Sequence, residues 1–197
     1  MQRRSARAVI SVNAPAILGL TTASGLVVIV NMVTGGSANA LLMSYFTGWL
    51  NPTMYLRFFT HVFAHADFAH FFGNYMLILV VGPLMEERYG AKRLLAMLAT
   101  TAFVTGLANA AFFQNVAVIG SSGLAFMLIL LSSFVNIKKG SIPLTLLLVG
   151  FIYIGNEVLA GIFATDNISQ LSHIIGGLCG AGFGFYFQDG ASSAARL

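Results

Sequence analysis

The chain has 197 residues, of which 57% are apolar and only 8% are charged. Soluble domains carry about 25% charged residues, so a water-facing globule, a disordered chain and a nucleic-acid binder are all excluded. Ten Lys and Arg against six Asp and Glu leave a net charge of +4, which in a lipid-embedded chain sets orientation.

Six apolar stretches are long enough to cross a hydrocarbon core of about 30 Å, which takes about 20 helical residues. They lie near 14–33, 69–85, 93–113, 121–137, 142–163 and 169–187. Arg3, Arg4 and Arg7 precede the first span, with no small-residue cleavage site, so no signal peptide is expected. Residues 34–68 form the one long connection. Its segment Asn39–Leu50 contains Tyr45, Phe46 and Trp49, which suits a helix lying in the membrane interface. Asp67 and Glu86 frame the second span. Gln114 and Asn115 supply a polar turn between the third and fourth. The apolar runs do not alternate, which argues against a β-barrel. The expectation is an all-α polytopic membrane protein, with a short tail over 1–12, a six-helix domain over 13–188 and a second tail over 189–197.

In this arrangement Arg3, Arg4, Arg7, Arg88, Lys92, Arg93, Lys138, Lys139 and Arg196 share one side, and Arg57 falls on the other. That asymmetry places both termini in the cytoplasm, and spans 2, 4 and 6 enter from the outer face.

Polar residues then converge at one depth. His70 and Asn74 lie one turn apart at the outer start of span 2. Ser121 and Ser122, flanked by Gly120 and Gly123, open span 4. His173 lies a few residues into span 6, followed by Gly176, Gly177, Gly180 and Gly184. Each has a plain packing reading: a membrane serine bonds its own helix, and glycines four apart form a close-approach face. Together they are the parts of a nucleophilic site. A serine hydroxyl becomes reactive when a positioned histidine takes its proton. A helix N-terminus offers free N–H groups to an oxyanion. His70 and Asn74 supply side-chain donors at the same level. No acidic residue lies at that depth in spans 2, 4 or 6, so a Ser–His dyad is expected rather than a triad.

Gly120-Ser121-Ser122-Gly123, His173 with Gly176, His61…His65…His70 followed by Asn74, and Glu86-Glu87-Arg88-Tyr89-Gly90 together resemble the rhomboid intramembrane serine proteases. The resemblance covers about residues 45–187. It implies a six-helix rhomboid-like bundle. It also implies Ser122 as nucleophile, His173 as general base, and His70 and Asn74 as oxyanion stabilisers beside Gly120 and the Ser122 N–H. The implied activity is endopeptidase cleavage of transmembrane protein substrates in the lipid bilayer, near the outer face, with no cofactor and no metal. Two positions depart from the family pattern. Leu56-Arg57 stands where Trp-Arg is frequent, and Phe126 stands where a tyrosine commonly stacks on the catalytic histidine.

Other residues receive structural readings. Glu86 and Arg88 are expected to form an ion pair at the inner surface. His61 and His65 have the i, i+4 spacing of a metal pair but lack the H-E-x-x-H glutamate, so they are read as ties within the long loop. Cys179, the lone cysteine, is read as packing and excludes an internal disulfide framework. Glu157 in span 5 has no assigned place. Two rival functions stay open: an inactive relative that binds membrane clients, and a transporter using Glu157 and the histidines as a proton path.

Overall fold

The fold was analysed in a computed structural model that describes residues 12–134, 144, 148, 151 and 168–187. Among these residues the structure is helical, and its one bridge of extended backbone joins Ser44 to Val118. Helix α1 spans Pro15–Val33, α2 Ser37–Leu42 and α3 Pro52–Thr60, which runs into a 3-10 turn at His61–Phe63. Helix α4 spans Phe68–Tyr89, α5 Ala91–Phe112, α6 Ser122–Ser133 and α7 Ile168–Phe187. Three of these, α1, α4 and α5, are long and apolar enough to cross a membrane. The expected span at 142–163 apart from residues 144, 148 and 151, Glu157 within it, Lys138 and Lys139, residues 1–11 and the whole tail over 189–197 lie outside the described residues.

Local sequence explains the helix ends. Asp67 caps α4, its Oδ1 accepting from the His70 N–H at 2.8 Å. Gly90, at φ +79°, turns the chain between α4 and α5. Pro15 sits at the first position of α1, where a missing N–H costs nothing. The next two amides of α1, those of Ala16 and Ile17, donate to the two carboxylate oxygens of Glu86, each at 2.9 Å.

That cap corrects the expected Glu86–Arg88 ion pair. Residues two apart on a helix do not face each other. Glu86 points inward and is 4% exposed, whereas Arg88 is exposed. The carboxylate therefore completes a neighbouring helix terminus, where its charge also meets the positive end of the α1 dipole.

The expected interfacial helix over Asn39–Leu50 is also corrected. Helix stops at Leu42, and Tyr45, Phe46 and Trp49 lie on non-helical chain. The backbone of Ser44 is committed elsewhere. Its N–H donates to the Val118 carbonyl at 3.1 Å, and its carbonyl accepts from the Val118 N–H at 2.8 Å. Gly48, at φ +99°, and the Asn51 cap of α3 then break any continuation.

The buried core joins Ile17 of α1, Tyr75 and Ile78 of α4, Leu94 and Met97 of α5, and Leu124, Met127 and Leu128 of α6. Cys179 packs against it. The outer faces stay apolar: Ile29 and Val33 on α1, and Phe72, Met76 and Val80 on α4, are exposed. An apolar exterior of this extent is what lipid tails cover.

Helices α6 and α7 make the closest approach. A Cβ on Gly176 would fall on the Gly123 carbonyl, one on Gly180 on the Met127 carbonyl, and one on Gly184 on the Phe134 ring. The glycine stripe of the last helix is therefore a packing face that brings two backbones together.

Candidate active site

A cavity of about 530 Å³ opens at the N-terminal ends of α4, α6 and α7. Ser122, His173, His70, Asn74 and Gly120 all line it, together with Phe126, Thr105 and the chain from Val116 to Ile119. The five residues singled out in the sequence thus come together.

Ser122 is the first residue of α6. The first amide of this helix to find an intrahelical acceptor is that of Ala125, bonded to the Ser121 carbonyl at 3.0 Å. Earlier amides of the turn have no acceptor within the helix. Ser121, at the N-cap, does not cap them with its side chain.

His173 is brought over this turn by the glycine face of α7. The Ser172 carbonyl lies 3.2 Å from where a Gly123 Cβ would be, and Gly176 meets the Gly123 backbone. One turn into α6, Phe126 stacks on the His173 ring, with centroids 4.3 Å apart and planes 6° from parallel. Phenylalanine therefore supplies the stacking face expected of a tyrosine at this position.

On the opposite wall, His70 and Asn74 face Gly120. A Cβ on Gly120 would stand 2.8 Å from His70 Nε2 and 3.5 Å from Asn74 Nδ2, and its φ of +109° favours glycine. The Ala66 N–H donates to His70 Nδ1 at 3.4 Å. Nδ1 is then the acceptor nitrogen, and Nε2 carries the proton toward the cavity. Asn74 Nδ2 is buried with no hydrogen-bond partner. Two donors thus converge beside the N-terminus of α6. Asp67 caps α4, its Oδ1 accepting from the backbone N–H of His70.

The remaining histidines sit in the connection. His61 Nε2 lies 3.1 Å from the Ala102 carbonyl, and the His61 carbonyl accepts from the Gly120 N–H at 3.0 Å. His65 Nδ1 lies 3.2 Å from the Phe63 carbonyl, and Nε2 lies 3.2 Å from Ser121 Oγ. Burial pushes both imidazoles down from 6.5 to about 4, which keeps them neutral. They tie the loop to α5 and to the start of α6. Arg57 holds the same loop, with its guanidinium 4.4 Å from the Tyr45 ring centroid and its Nε–H donating to the Leu41 carbonyl at 3.3 Å.

Sequence reasoning missed two features. His61 and Thr105 line the cavity, and Tyr75 and Ser24 form a buried pair at 2.5 Å. A single tyrosine in an apolar helix gives no signal of a polar partner on another helix.

A helical membrane protein with a Ser- and His-lined cavity at the helix ends is the class that fold and site define. The Rhomboid domain family profile matches residues 52–189, and the chain belongs to the rhomboid family. A search of curated proteins returned no match.

Proposed function

We propose that this protein is an intramembrane serine endopeptidase that cleaves transmembrane protein substrates near the outer face of the bilayer. Ser122 Oγ attacks the scissile carbonyl while His173 takes its proton. The developing oxyanion receives the Ser122 N–H, His70 Nε2–H and an Asn74 Nδ2–H. His173 then gives its proton to the leaving amine, and water resolves the acyl-enzyme by the same route. Gly120 leaves room for the oxyanion.

The observation that carries this reading is the convergence at one cavity. Ser122 starts a helix with free amides, His173 lies over the same turn, and the unpartnered amide of Asn74 faces Gly120. An unsatisfied buried donor costs about 1–3 kcal/mol, a cost that binding a transient anion removes. The six-helix domain over 13–188, the cytoplasmic placement of both termini and an active site open to the extracytoplasmic side belong to the same proposal. They rest on the basic asymmetry of the sequence.

The test is cleavage of a model transmembrane substrate by full-length protein in liposomes. Ser122→Ala and His173→Ala are each expected to abolish cleavage while the protein still inserts and unfolds like wild type. Substantial cleavage by purified Ser122→Ala contradicts the assignment.

A further inference from the structure

Helix α3 is apolar on two sides. Met54 and Phe58 are fully buried and pack with Ala110 of α5, beside Phe46 and Phe103. The other side stays open. Leu56 and Phe59 are exposed, and so are Trp49 and Leu50 in the turn leading into the helix. In a membrane protein, lipid covers such a face. Trp49 and Tyr55 are residue types that sit at the headgroup level, and the Tyr55 hydroxyl donates to the Trp49 carbonyl at 2.7 Å.

Arg57 places a charge on this apolar helix. It is half-buried. Its guanidinium lies 4.4 Å from the Tyr45 ring centroid, and its Nε–H donates to the Leu41 carbonyl at 3.3 Å. These contacts fix the plane of the group. They leave the N–H groups of both terminal nitrogens without a hydrogen-bond partner among the described residues. No described carboxylate pairs with the charge: Asp67 caps α4, and Glu86 and Glu87 lie in the last turn of that helix. A cation at the edge of lipid is costly without a counter-charge. A fixed guanidinium fork is complementary to two oxygens of a phosphate. The phosphate at that level of a bilayer is the phosphodiester of a phospholipid.

We infer that Arg57 and the open face of α3 form a phospholipid-binding site, with the lipid phosphate on the terminal nitrogens of Arg57 and an acyl chain along Leu56 and Phe59. The recognised group is the phosphodiester, so zwitterionic and anionic phospholipids both fit. Helix α3 runs directly into His61, which lines the cavity and whose carbonyl holds the Gly120 N–H. A lipid bound at Arg57 therefore seats one wall of the cavity on the membrane surface. The site does not depend on which serine is the nucleophile.

Trp49 is the sole tryptophan of the chain and lies beside this face, so its fluorescence reports binding. Full-length protein in a maltoside detergent is titrated with phosphatidylcholine carrying brominated acyl chains, which quench indole emission on contact. Brominated diacylglycerol, with the same chains and no phosphate, is the control. In wild type, half-quenching is expected at a mole fraction of phosphatidylcholine about 10-fold lower than that of diacylglycerol, the size of a charge-assisted contact. Arg57→Gln is expected to remove that preference. Equal quenching of wild type by the two lipids overturns the inference, and this comparison stands even where the variant fails to fold. A folded Arg57→Gln that keeps the full preference overturns it too. Inorganic phosphate in excess is expected to leave the wild-type titration unchanged. Displacement of the phospholipid by inorganic phosphate would make Arg57 a site for free phosphate and overturn the lipid assignment.

Discussion

The two sides of the cavity are held by different physics. On the α6–α7 side, contact is backbone against backbone, with Gly176 on Gly123 and Gly180 on Met127. On the side of α1, α4 and the long connection, contact runs through polar side chains. Glu86 caps α1, Ser24 meets Tyr75, Asn39 Nδ2 donates to the His65 carbonyl, and His65 meets Ser121. The first kind of contact has no adjustable part, so it fixes the relation of Ser122 to His173 sterically. The second kind is made of individually replaceable bonds, and it sets the donors around Gly120. In lipid, where apolar burial does not drive helices together, close packing and hydrogen bonding are the available means.

The steric side should break hardest. Gly176→Ala puts a methyl group onto a backbone carbonyl that cannot rotate away. Overpacking of this kind is expected to cost about 3 kcal/mol or more. Thermal unfolding in detergent should show a large fall in Tm, with cleavage lost as well. A variant of wild-type stability would mean that the helices are not in backbone contact there.

The polar side should fail by degrees. His70→Ala and Asn74→Ala each remove one donor while the Ser122 N–H remains. Each is expected to lower kcat about 10–100-fold, at or below the low end for an oxyanion donor. KM should change little, because the bond forms mainly in the transition state. A raised KM at unchanged kcat would make them substrate-binding groups instead.

The smallest effect is on stability against pH. Burial lowers the imidazoles of His61 and His65 from 6.5 to about 4. Between those values the unfolded chain binds protons that the folded chain does not. Stability is therefore complete above about pH 6.5, falls as pH drops toward about 4, and levels off below. Unfolding midpoints measured across that range check the direction. A midpoint that rises on acidification would contradict the burial of the two rings.

Much of this was legible in the sequence. The expected spans at 14–33, 69–85, 93–113 and 169–187 match described helices within a few residues, because hydropathy directly reports lipid contact. Ser122, His173, His70, Asn74 and Gly120 could be gathered because topology converts distant positions into a common depth. What stayed hidden depended on pairings between remote segments. Glu86 looked like the partner of Arg88 because its partners, two backbone amides of α1, carry no sequence signature. The connection looked helical around Tyr45 because nothing local announces that Ser44 will pair with Val118. The resemblance singled out Ser122 over its neighbour Ser121 without a physical reason. The burial of Ser121 against His65, away from the cavity wall, separates the two physically.

That separation is also the sharpest point of attack. The full-length protein, purified in detergent, is treated with a fluorophosphonate probe, and the labelled residue is mapped by peptide mass spectrometry. Labelling is expected at Ser122 alone, lost in His173→Ala and unaffected by EDTA. Labelling at Ser121, or chelator-sensitive activity without any labelled serine, would contradict the account.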